Sequence, residues 1–217
     1  LAVQAKRDAD VEVVHQARVA VRRLRSILTL FRTDVPRPVT QPWRSAWRTF
    51  ATTLGPAREI DVLLTATLPA ALTALPLAGG DALRHLARAR REQIYVAHVE
   101  PLFTGADYHT FCTTFAQWLA TRAWEQASLT PAQRRRLTSN IVGYARKQLE
   151  RQHRRVLYTG SQVARDDPTA LHQLRIECKK LRYAAEFFRG LLNNMETFIS
   201  ALKAVQDVLG QVNDAAT

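Results

Sequence analysis

Two stretches of this sequence set a histidine and three cations at the same spacing: His15, Arg18, Arg22 and Arg25 in one, His172, Arg175, Lys179 and Arg182 in the other. At 100° per residue each set falls within about 80° of arc, so each forms one stripe along a helix, with cations about 5 Å apart along the axis. That spacing suits a row of phosphate oxygens better than one compact ligand. Arginine forks onto phosphate oxygens. A histidine among phosphates gains a proton, because nearby negative charge favours the imidazolium. The chemistry on offer is electrostatic capture of a chain-like polyanion.

The two stripes are copies. His15 to Arg32 reads HQARVAVRRLRSILTLFR and His172 to Arg189 reads HQLRIECKKLRYAAEFFR, identical at seven of eighteen positions, where ordinary composition gives about one by chance. On a separate face lie Ala17, Val21, Leu24, Leu28 and Phe31 in the first copy, and Leu174, Cys178, Leu181, Ala185 and Phe188 in the second. Each helix is thus amphipathic, and Cys178 reads as core. A solvated surface helix mixes its charges, whereas here only Glu12 and Glu186 lie near the stripes. The match resumes one helix later, two residues out of register, where Trp47-Arg48 aligns with Leu202-Lys203 and Leu54-Gly55 with Leu209-Gly210. A helix pair has been duplicated, and the expected arrangement is a pseudo-twofold that brings both stripes to one cleft. Arg84, Arg88, Arg91 and Tyr95, and likewise Lys147, Arg151, Arg154 and Tyr158, are spaced i, i+4, i+7, i+11 and extend the cationic surface.

Other chemistries find less support. Hydrolysis of a phosphate chain needs metal-holding carboxylates or an activated nucleophile. Glu59, Asp61 and Asp214 sit at the turns after Gly55 and Gly210, where capping or pairing with stripe arginines accounts for them. Glu12 and His15 make an E-x-x-H that a di-iron bundle would use twice, but Thr169 stands at the matching place before His172. Cys112 and Cys178 have neither metal-ligand spacing nor a disulfide signature. The expectation is a binding protein, not an enzyme, with no metal and no cofactor. Nucleic-acid or general polyanion binding is the alternative reading, since the same charge attracts any phosphate backbone. No helix-turn-helix turn or RNA-binding aromatic motif is visible, and aromatic residues do not interleave the stripes as base stacking requires. A basic scaffold for an acidic protein is a third reading.

The elements that hold these stripes read as helices throughout. Lysine and arginine number 31 against 19 acidic residues in a 217-residue chain that is 47% hydrophobic, which supplies a core and biases partners toward phosphates. The periodicity predicts helices over about 10–31, from Pro42 to 54, 57–75 with a bend at Pro69, 82–103, 108–124, 131–158, 168–192 and on to Gly210, where a ninth begins. Pro36-Arg37-Pro38 and Gly55-Pro56 read as breaks, and Thr130-Pro131 and Asp167-Pro168 as N-caps followed by proline. Val62 to Gly80 is 19 residues without a charge, yet Pro69 and Pro76 make it two buried helical segments and not a membrane span. Charged residues recur from Lys6 onward, so no signal peptide is visible, and the paucity of cysteine favours a reducing cytoplasm. Tryptophans 43, 47, 118 and 124 read as core, and His85, His98, His109 and His153 as structural or surface residues.

In these motifs the chain resembles the conserved histidine α-helical domain, CHAD. That family's hallmark helix, roughly H-x-x-R-h-x-x-[RK]-[RK]-L-R, occurs here at His15 to Arg25 and at His172 to Arg182. Leu54 to Val62 is similar to the family's L-G-x-x-R-D-x-D-V turn, with Glu59 in place of the usual aspartate, and Leu209 to Asp214 is its counterpart. The resemblance implies an all-α bundle of two pseudo-twofold halves, 1–105 and 106–217, around a basic central groove. It also implies binding of inorganic polyphosphate, association with polyphosphate granules and a polyphosphate-metabolising protein partner. The implied contacts are His15, Arg18, Arg22, Arg25 and Arg48 in one half, and His172, Arg175, Lys179, Arg182 and Lys203 in the other. The family continues into another helix beyond the counterpart of Asp214, so the second half is expected to be incomplete. The E-x-E-x-K signature of a triphosphate-processing partner domain is absent from these residues.

Overall fold

The structure is a computed structural model that describes residues 2–76, 78–164 and 167–215, with side chains described between 11 and 212. Helices account for its regular structure, with no strand among the described residues. In chain order they are α1 (Ala2–Leu30), α2 (Arg37–Thr53), α3 (Gly55–Val62), α4 (Leu68–Ala74), α5 (Gly80–Ile94), α6 (Glu100–Thr104), α7 (Ala106–Ala120), α8 (Pro131–Leu137), α9 (Ile141–Ser161), α10 (Pro168–Phe188) and α11 (Met195–Ala215). The fold is all-α, as the periodicity requires.

The local signals act as capping chemistry says they should. Thr130 accepts from the Gln133 amide at 3.2 Å while the Gln133 side chain accepts from the Thr130 amide at 3.0 Å, a reciprocal capping box that opens α8. Asp167 accepts from the amides of Thr169 and Ala170 at 2.9 and 3.0 Å and opens α10, with Pro168 in the first position.

Several boundaries differ from expectation. α2 begins at Arg37, so Pro38 serves as a first-turn proline and Pro42 lies inside the helix instead of preceding it. The expected 131–158 helix is two: Asn140 caps a new start, accepting from the amides of Val142 and Gly143 at 2.9 and 3.2 Å. α11 runs on through Gly210, where no proline follows as Pro56 follows Gly55.

The bend at Pro69 is a π-helical turn over Leu63–Thr67, and a second precedes Pro101 over Tyr95–Val99. In both, the amide just before the proline reaches back five residues, Leu68 to Leu63 and Glu100 to Tyr95. Widening the helix there makes room for a ring that has no N–H and would strike the carbonyl four residues back. The uncharged stretch is helical over 62–74, but it is mostly exposed and not the two buried segments expected, with only Leu68 and Gly80 buried among its described residues. No helix among the described residues is long and apolar enough to cross a membrane.

The chain forms two compact units, residues 1–25 with 38–127, and residues 26–37 with 128–217, so α1 contributes to both. These units group residues by contact, whereas the expected halves, 1–105 and 106–217, follow the order of the chain. The core of the first unit includes Val14, Val21, Trp47, Phe50, Leu54, Ala57, Ile60, Ile94 and Phe115. Trp43, Phe111, Phe115, Trp118 and Trp124 form a chain of ring contacts beside it, with centroids 5.0–5.8 Å apart. In the second unit Leu30, Ala145, Leu149, Leu181, Ala184, Ala185, Phe188 and Leu202 make one core cluster. Cys178 is buried within the same unit.

Candidate anion-binding faces

In the first unit, α1 turns Val14 and Val21 inward, and the stripe emerges at the edge of that buried face. His15, Arg18 and Arg25 are half-buried, and Arg22 is exposed. Arg18 donates from Nη1 to the carbonyl of Ala51 in α2 at 2.8 Å. Its guanidinium lies against Gly55: a methyl there would sit 3.8 Å from Nη1. Partial burial, and next the like charge of Arg22, hold Arg18 below the usual arginine value. An oxyanion arriving here would relieve that crowding. Arg48 is exposed next to buried Trp47 on α2.

The second unit repeats the arrangement on α10. Leu181, Ala185 and Phe188 face the core, while Arg175, Lys179 and Arg182 are half-buried and His172 is exposed. Arg175 lies against Gly210 as Arg18 lies against Gly55: a methyl on Gly210 would sit 3.6 Å from its Nη2. Arg182 is held in place by Gln206, which accepts from its Nε at 3.0 Å, and by Glu186, which accepts from Nη1 at 2.6 Å. Its guanidinium also sits 4.7 Å from the Tyr183 ring centre. Lys203 is exposed beside buried Leu202 on α11.

The weaker stripes divide. On α5, Arg88 is exposed and Arg84 makes a surface ion pair with Asp81 at 2.9 Å, a contact worth about 0–1 kcal/mol. Arg91, expected on the cationic surface, is instead turned inward and only 8% exposed. Its Nε donates to Asp61 at 2.8 Å, Tyr95 donates its hydroxyl to the other Asp61 oxygen at 2.7 Å, and the guanidinium lies 3.9 Å from the Tyr95 ring centre. Asp61 is fully buried. Burial alone would lower Arg91, but the hydrogen bond to Asp61 and the neighbouring Tyr95 outweigh it and raise the guanidinium above its usual value. The pairing of Asp61 with an arginine accounts for this carboxylate, as expected. The side chain of Asp214 lies outside the described residues. On α9, Lys147 and Arg154 are exposed, and Arg151 donates to Gln148.

The second unit holds a comparable buried aspartate that sequence reasoning missed. Asp34 is 1% exposed. It accepts from Arg136 Nε at 2.7 Å and from the Tyr144 hydroxyl at 2.6 Å, while Arg136 Nη2 also donates to the carbonyl of Thr33 at 2.7 Å. In the sequence Asp34 reads as a loop residue before Pro36, and its partners lie more than a hundred residues away.

Burial, and then the hydrogen bond to the aspartate, push the hydroxyls of Tyr95 and Tyr144 well above the ordinary value of 10.0. Below that value the tyrosines are neutral in both folded and unfolded chains; above it only the unfolded chain releases the proton. Stability is therefore retained below about pH 10 and lost as pH rises through the range above it. Alkaline unfolding followed by circular dichroism should show this loss, and Tyr95→Phe/Tyr144→Phe should reduce its steepness while lowering stability at neutral pH.

Comparison with known proteins bears on the whole chain. The family model of the CHAD domain matches residues 2–217. The crystal structure of the CHAD domain from the plant Ricinus communis is similar, with a TM-score of 0.73 and 29% sequence identity. The match covers 94% of this chain and 65% of that one, so this chain spans somewhat under two thirds of its length. No curated protein matches. Two copies of the histidine–arginine helix in an all-α structure, matched by the family's model from residue 2 to residue 217, establish that this chain belongs to the CHAD family.

Proposed function

We propose that this chain binds inorganic polyphosphate, without catalysis, through the cationic faces of α1 and α10. The carrying observation is the repeated seat of one arginine. Arg18 lies against Gly55 and Arg175 against Gly210, at 3.8 and 3.6 Å from where a methyl group would stand. Gly210 is inside α11 with an ordinary helical backbone, where glycine is a poor helix former. The same arginine of the repeat thus meets a glycine twice, Gly55 where α3 opens and Gly210 buried within α11. With glycine there, no side chain at either position competes for the guanidinium, which supports its use in holding phosphate oxygens. His15, Arg22, Arg25 and Arg48, with His172, Lys179, Arg182 and Lys203, continue the two faces, and Arg84 and Arg88 extend the charge of the first unit. In this reading the protein works in the cytoplasm at polyphosphate granules, beside a polyphosphate-metabolising partner.

The test is a calorimetric titration with long-chain polyphosphate at two salt concentrations, with duplex DNA as competitor. Dedicated binding weakens with salt, as counterion release requires, yet survives a molar excess of DNA phosphate. Displacement by DNA would replace this reading with general nucleic-acid binding.

A further inference from the structure

The geometry points to a second phosphate site in the second unit, at the elbow between α8 and α9, that takes a short condensed phosphate. A cavity of about 750 Å³ opens there, lined by Arg135, Arg136, Lys147, Arg151 and Arg154, with no carboxylate among its lining residues. None of these cations belongs to the repeated stripes, and Arg135 and Arg136 lie outside every cationic pattern in the sequence.

Two observations argue for a ligand. First, two of the five cations, Arg136 and Arg151, are held before any ligand arrives. Arg136 is clamped by buried Asp34 and by the Thr33 carbonyl, through Nε and Nη2. The ring of Tyr144, fixed by the same carboxylate, forms part of the wall, and Arg151 is braced by Gln148. Asp34 neutralises one of the five charges and leaves four gathered around open space. Groups set in advance lose little freedom on binding, and a ligand bearing several phosphate oxygens satisfies more than one of them together.

Second, Gly143 stands on the same face of α9, one turn before Lys147 and two before Arg151. It lines the cavity, no atom lies within 4 Å of where its Cβ would be, and its backbone is not left-handed. Glycine weakens a helix relative to alanine, so neither packing nor backbone conformation accounts for it. Close approach of a ligand to the helix does.

Tripolyphosphate titrated by calorimetry into the Arg18→Ala/Arg175→Ala protein isolates this site from the α1 and α10 faces. Tight binding of one molecule per chain is expected. Lys147→Ala/Arg154→Ala, added to that background, should weaken it about thirtyfold. Gly143→Ala should weaken it about fivefold while holding or raising the melting temperature, a combination that mere helix damage cannot give. If tripolyphosphate affinity stays within about twofold of the parent in either variant, the pocket is not the site and the proposal falls. The outcome is separate from that of the polyphosphate reading, which rests on how the long chain responds to Arg18 and Arg175.

Discussion

Arg18→Ala/Arg175→Ala is expected to lower long-chain polyphosphate affinity by about a thousandfold at low salt. A hydrogen bond between a charged donor and a phosphate contributes about 1.5–3 kcal/mol, and the two arginines together about 3–6 kcal/mol. At 1.4 kcal/mol per decade that is on the order of a hundred- to ten-thousandfold. The loss should carry a second signature. Each phosphate neutralised by the protein releases condensed counterions, so removing two contacts reduces the slope of log affinity against log salt by about 1.4. The structure also predicts the behaviour of the single variants. Arg18 spends one N–H on the Ala51 carbonyl at 2.8 Å, so Arg18→Ala costs some stability at the α1–α2 contact as well as affinity. Arg18→Lys/Arg175→Lys keeps the charge but not the fork, and should recover most of the salt slope with less than half of the lost binding energy. Titrations of the three proteins across salt separate these effects. Wild-type affinity in the double alanine variant would end the polyphosphate reading.

Asp61→Ala is expected to lower the melting temperature by about 6–20 °C, the largest stability effect expected of any single substitution here. Asp61 is fully buried and joins three side chains from two helical segments: its own in α3, Arg91 at the end of α5 and Tyr95 in the following π turn. Removing the carboxylate takes away the acceptor of Nε from an Arg91 side chain that is only 9% exposed, and the acceptor of the Tyr95 hydroxyl. Breaking a buried pair on one side costs about 3–5 kcal/mol, which for a protein of this size converts to a shift of that order. Asp61→Asn keeps the shape and an acceptor oxygen but not the charge, so about half of the loss is expected. Thermal melts of both variants check this. If Asp61→Ala melts within a few degrees of wild type, the buried Asp61–Arg91–Tyr95 cluster does not hold the first unit together.

Much of the fold and of the candidate site was legible because the relevant signals are local. The stripe of His172, Arg175, Lys179 and Arg182 is set by spacing along one helix, and so is the separate face of Cys178, Leu181, Ala185 and Phe188, which is buried as the period of 3.6 demands. Thr130 and Asp167 cap their helices with atoms two or three residues away, and the duplication is written directly in the residues. Sequence alone therefore determined the all-α class, the repeated cationic helix and the family.

Tertiary structure decided where charge is spent and where it stays available. Arg88 and Arg91 follow the same pattern in sequence, yet one is exposed and the other is turned inward to Asp61, thirty residues earlier. Asp34 looks like a loop residue until Arg136 and Tyr144 arrive from beyond position 130 to bury it. Arg18 and Arg175 are two among 31 basic residues until α2–α3 and α11 set a glycine beside each. The reason is physical: helix periodicity and capping act within a turn or two of chain. Burying a charge requires a partner of opposite sign brought from elsewhere in the chain, and only the folded protein supplies it.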